Sequence, residues 1–61
     1  MATFEVYVPM RRTYIYVVKA RNEAEARRIV DVIGQDLEAV VSDVETPLAE
    51  PHQWDVTKIK D

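Results

Sequence analysis

The only serine, Ser42, and the only histidine, His52, stand ten positions apart in this chain. A serine nucleophile needs a base to take its proton, a third group to orient that base and donors for the developing oxyanion. Two single-copy residues supply none of this redundancy, and Ser42 reads as an ordinary solvated residue. Gly34 is the single glycine, which excludes the glycine-rich loops that cradle phosphates. The absence of cysteine removes thiol nucleophiles, disulfides and thiolate zinc sites together. One imidazole, His52 between Pro51 and Gln53, is a loop residue before it is a metal ligand. Asp43 and Glu45 are close enough to meet, but a solvated acidic edge explains them more simply than a paired acid and base. The chemistry on offer is that of binding. No enzyme activity, cofactor or metal is expected.

The charged residues say more. Net charge is −3, but residues 1–30 carry six basic side chains against three acids, and residues 31–61 carry eight acids against Lys58 and Lys60. Such a split either steers a charged partner or ties the two halves of the fold together. The acids Asp31, Asp36, Glu38, Asp43, Glu45 and Glu50 can imitate a phosphate track and occupy a basic nucleic-acid groove on a partner protein. Tyr7 and Trp54 are candidate aromatic anchors beside them. The alternative is direct nucleic-acid binding, in which Arg11 and Arg12 at a hairpin tip contact phosphates and Tyr14 and Tyr16 stack on bases. An overall acidic chain, with pI near 5.0, argues against it, because the phosphate term dominates such affinities.

These residues must be positioned by few elements. Phe4, Val6 and Val8 alternate with Thr3, Glu5 and Tyr7, which predicts a half-buried strand ended by Pro9. Residues 9–13 read as a polar connector of four or five residues, leading to a second strand at Tyr14–Val18 and so to an antiparallel hairpin. Asn22 followed by Glu25 predicts a capping box. Ala26, Ile29, Val30 and Ile33 then recur at helical spacing, with Arg27, Arg28 and Asp31 towards water. Gly34 in a left-handed cap would stop the helix at Ile33. The apolar spacing nevertheless continues through Leu37, Val40, Val41 and Val44, so residues 35–46 are either more helix or a β-branched strand. Pro47 and Pro51 bracket a loop, and Trp54–Ile59 reads as a last strand with Trp54 and Val56 inward. The expected fold is α+β: one domain over residues 1–61, an antiparallel sheet of three or four strands, and one main helix on one face, in the order β-β-α-(β or α)-β.

The second strand is apolar on both sides. One hairpin register sets Val6 against Ile15 and leaves Tyr14 and Tyr16 outside; a one-residue slip sets Val6 against Tyr16 and leaves Ile15 and Val17 outside. The slipped register is preferred because it directs Lys19 outward and Ala20 inward just before the helix. Either way, one helix covers one face, and the other needs the 47–53 loop, a second copy of the chain or a foreign partner. A domain of this size buries only about 60% of its unfolded surface, so dimerisation through that face is a natural source of stability.

The run Val18-Lys19-Ala20-Arg21-Asn22-Glu23-Ala24-Glu25-Ala26, joining a hairpin to a helix, with Trp54-Asp55-Val56 opening a last strand, resembles the small DpnD/PcfM-like proteins of phages and mobile elements. The resemblance covers residues 4–30 and the tryptophan-led end, and residues 34–53 have no counterpart. That group has no general activity to carry over. The resemblance implies a mobile-element accessory protein, and proteins of this size and acidity include inhibitors of host defence, anti-CRISPR proteins among them. No segment is apolar enough to cross a membrane, and the N-terminus lacks the pattern of a signal peptide, so a place in the host cytoplasm is expected.

Overall fold

The structure, a computed structural model, describes all residues 1–61. It opens on an extended run, β1 (Ala2–Ala20), of 19 residues. Laid straight, such a strand would span about 60 Å at ~3.3 Å per residue, yet the longest dimension of the molecule is 31 Å. The strand therefore doubles back. Arg11, at its midpoint, is the one non-glycine residue with positive φ, 65°. The two arms of β1 thus form a hairpin, and the extended backbone persists through Pro9 and the segment expected to be a separate connector. At the turn Arg11 takes the left-handed conformation that a glycine would adopt without steric penalty.

Beyond the hairpin come α1 (Glu23–Ile33), a single 3₁₀ turn at Gly34–Asp36, β2 (Val40–Thr46), a second 3₁₀ turn at Pro51–Gln53, and β3 (Asp55–Lys60). β2 pairs antiparallel with the C-terminal arm of β1, from Arg11 opposite Thr46 to Ile15 opposite Val40. β3 pairs antiparallel with the N-terminal arm, from Tyr7 opposite Asp55 to Thr3 opposite Lys60. Counting the arms separately, the sheet has four antiparallel strands: β2, the C-terminal arm, the N-terminal arm and β3. This is the α+β architecture expected, with residues 40–46 as strand and not as continued helix. β-branched content prevailed there over helical spacing.

The core lies between this sheet and α1. Phe4, Val6 and Val8 from one arm, Tyr16, Val18 and Ala20 from the other, and Ala26, Val30 and Trp54 are its buried members. All six strand residues have even numbers, so Val6 and Tyr16 share the covered face, while Ile15 and Val17 take the bare one, as the slipped register requires. Ala20 and Ala26 are both fully buried, and their small side chains let the helix approach the sheet closely. Ile33, expected inward, is largely exposed, and Arg27, expected in water, is half-buried with Nη2 donating to the carbonyl of Trp54 at 3.2 Å.

The N-terminus of α1 is capped as Asn22 predicts, with the Glu25 N–H donating to Asn22 Oδ1 at 2.8 Å. The reciprocal arm lands one residue earlier than a capping box places it. Glu25 Oε1 accepts from the Arg21 N–H, and Oε2 accepts from Arg21 Nε, each at 3.0 Å. The backbone N–H of Arg21, and then its guanidinium, hold the Glu25 carboxyl below the usual carboxylate range. At the other end Gly34 is right-handed (φ −54°), not left-handed. A side chain there is limited by space instead: a Cβ would lie 3.2 Å from Val30 Cγ1 and 3.7 Å from the Tyr16 ring.

Candidate functional site

β2 is an edge strand, and its composition is unusual for one. Val40, Val41 and Val44 are exposed, at 68%, 42% and 67%, and Asp43 and Glu45 project among them. Leu48, just beyond the strand, is also exposed. Asp36 and Glu38 lie on the connection that feeds β2, and both are exposed. The result is a strip of exposed valines and carboxylates along the free outer edge of the sheet, with Val44 set between Asp43 and Glu45. The sequence from Ile29 to Thr57 contains no lysine or arginine, so nothing on these elements neutralises it. The two ion pairs of the molecule are elsewhere, Arg21 with Glu25 and Lys58 with Asp61.

Of the six acids singled out in the sequence, Asp36, Glu38, Asp43 and Glu45 fall on this strip. Asp31 projects from the exposed side of α1, in a groove with Ala24, Arg27, Arg28, Pro51 and His52. Glu50 lies on the 47–50 crossing, where its N–H donates to Gln53 Oε1 at 3.0 Å. These two are separate from the strip.

The aromatic anchors divide. Trp54 is buried, at 9% exposure, with Nε1 donating to the carbonyl of Ala49 at 3.2 Å. It closes the 47–53 crossing onto the core and presents no ring to a partner. Tyr7 is half-buried on the bare face, and its hydroxyl donates to Glu5 Oε1 at 2.7 Å. That bond, then desolvation and the charge of Glu5, raises the phenol above its ordinary value.

The alternative nucleic-acid set also comes apart. Tyr16 is buried in the core and offers no stacking face, while Tyr14 packs partly buried against the core. Arg11 and Arg12 do sit exposed at the hairpin tip, but they share a shallow groove with Glu45, Thr46 and Pro47. Arg12 is the strand partner of Glu45. The basic tip therefore abuts the end of the acidic strip, which the charge split between the two halves of the chain did not reveal.

Ser42 and His52 are not brought together. The Ser42 hydroxyl accepts from the Val44 N–H at 3.3 Å on β2, while His52 lies by the helix beside Ala24 and Arg28. No group of three His, Asp or Glu side chains converges as a metal site. No helix is long and apolar enough to cross a membrane.

The 47–53 crossing passes on the helix side of the sheet, since Pro51 and His52 line a groove with α1. It does not cover the bare face. Ile15 is half-buried there and Val17 is 58% exposed.

Sequence reasoning missed the valines of β2 because a helical reading turned Val40, Val41 and Val44 inward. The signal that could have found them is the pairing of β-branched residues with acids in a stretch without bases. No protein-family model, curated protein or solved structure matches the chain significantly.

Proposed function

We propose that the protein is a non-enzymatic binding protein whose β2 edge docks on a basic surface of a partner protein. The observation that carries this reading is the exposure of Val40, Val41 and Val44 beside Asp43 and Glu45 on an edge strand whose outer side is free, with Asp36 and Glu38 exposed on the connection leading into it. Carboxylates alone would imitate a phosphate track; carboxylates with apolar residues between them fit a protein surface that presents both. In its most specific form the reading is a phage-type inhibitor or regulator that occupies the nucleic-acid groove of a host protein, such as a CRISPR–Cas effector. Electrostatic complementarity then sets partner choice and association rate, and valine burial supplies the dry contact.

The test is capture from a nuclease-treated bacterial host lysate by the immobilised chain at rising salt. Nucleic-acid-binding proteins should be retained, with retention falling steeply as salt screens the acids. Reversal of Asp36, Glu38, Asp43 and Glu45 to lysine together should abolish retention. Capture unchanged by the fourfold reversal would overturn the reading. Retention of added DNA or RNA by the wild-type chain would move the function to Arg11 and Arg12 instead.

A further inference from the structure

The opposite edge of the sheet carries the complementary pattern. β3 ends in Lys58-Ile59-Lys60, with Ile59 48% exposed and both lysines exposed. β2 carries Asp43-Val44-Glu45, also exposed. We infer that β2 of one molecule pairs antiparallel with β3 of a second copy, setting Val44 against Ile59, Asp43 against Lys60 and Glu45 against Lys58. The inference rests on the reading of β2 as a docking edge and gives that edge an occupant.

Strand direction permits it. β2 runs antiparallel to the C-terminal arm of β1, the arms run antiparallel to each other, and β3 runs antiparallel to the N-terminal arm. The outer strands therefore point in opposite directions, so β3 of a second copy placed beside β2 continues the antiparallel alternation. Neither outer strand has a neighbour on its outer side.

Charge selects this pairing over the symmetric ones. Two β2 edges centred on Val44 bring Asp43 opposite Glu45, and two β3 edges centred on Ile59 bring Lys58 opposite Lys60. Like charges directly across a strand pair are destabilising, and opposite charges are favourable. Each edge rejects its own kind and accepts the other. The contact is heterologous, so each docked copy leaves a further free edge.

Both triplets sit at irregularities. Residues 42–44 bulge opposite Thr13 alone, and Ile59 is the extra residue between the Phe4–Lys58 and Thr3–Lys60 pairs. Bulges and edge charges ordinarily blunt an edge against pairing. A blunted edge has no use for an exposed branched apolar side chain at the centre of its charges, and here both edges have one. The ion pair of Lys58 with Asp61 is at the surface and exchanges readily for Glu45.

The experiment is sedimentation velocity on the whole chain across rising concentration at low salt, with circular dichroism to establish that each variant is folded. The wild type should show a concentration-dependent ladder that high salt dissolves. Asp43→Lys with Glu45→Lys, and separately Lys58→Glu with Lys60→Glu, should each weaken association by roughly tenfold or more. An equimolar mixture of the two, and the chain carrying all four substitutions, should regain it. A wild type that stays monomeric, double variants that assemble like the wild type, or a folded fourfold variant that does not recover would each overturn the inference. A monomeric wild type that still captures a basic partner would do so while leaving the earlier reading intact.

Discussion

The two faces of the sheet take their side chains from the same strands, one residue apart. On one face Phe4, Val6, Val8, Tyr16, Val18 and Ala20 are all buried under α1 and Trp54. On the other, Glu5, Tyr7, Ile15 and Val17 sit at half-buried to exposed positions with nothing packed above them. Local propensity does not separate them, since Val17 and Val18 are the same residue in the same strand. Burial is decided by which parity the helix meets, and that follows from the junction at Ala20 to Asn22. A face that is apolar and uncovered is the mark of a fold that has more strand than helix to cover it.

The sharpest break of this comparison is a matched pair of truncations. Phe4→Ala removes a ring that is 3% exposed from the centre of the covered face, and should cost about 3–5 kcal/mol, a large part of the stability of so small a domain. Val17→Ala, one face away, should fall within about 0.5 kcal/mol. Urea melts of the two variants measure both. Comparable losses would mean that the bare face is buried in solution.

The helix that makes the difference depends on its first turn. Asn22→Ala removes the acceptor of the Glu25 N–H and should cost about 1 kcal/mol, read as a lower urea midpoint with unchanged slope. Asn22→Asp should retain most of the stability. If both substitutions behaved alike, the contact of Glu25 with Arg21 would be fixing the helix start instead.

Much of this was legible from residues alone, for identifiable reasons. Alternation at Phe4, Val6 and Val8 and the Asn22 cap are local effects in which the sequence and the fold agree. The parity of the hairpin followed from Lys19 and Ala20 at the junction. The turn at Arg11 was not legible, because a non-glycine residue at positive φ leaves no compositional trace. Residues 40–46 are ambiguous because Leu37, Val40, Val41 and Val44 keep helical spacing while the three valines are β-branched. Trp54 reads from the sequence both as an inward strand residue and as a surface anchor, and a buried ring whose Nε1 is tied to Ala49 serves only as the first. The candidate edge is half visible in the sequence: its acids stand out as a run without bases, whereas its valines fit a buried helical stripe as well as an exposed strand. The lysines of β3 acquire meaning only once the sheet order puts them on the opposite rim.

The smallest effect discriminates between face and edge as places for a second copy. Tyr7 lies on the bare face, and its phenol is raised first by the hydrogen bond to Glu5, then by desolvation and by the charge of that carboxylate. Glu5→Gln should therefore bring the Tyr7 pKa down towards its ordinary value, measured by NMR titration of the ring resonances with Tyr7→Phe as the assignment control. A group whose pKa is raised on folding contributes stability that is complete below its unfolded value and is lost as pH climbs through the folded one. The alkaline limb of the stability curve should accordingly be shallower in Glu5→Gln than in the wild type. Both effects are small, because the face is open to solvent. Their use lies in concentration dependence. If copies meet edge to edge, through Val44 and Ile59, the Tyr7 titration is the same in dilute and concentrated samples. If they meet face to face, the phenol is desolvated further and its pKa climbs with protein concentration, which would place the second copy over Ile15 and Val17 instead.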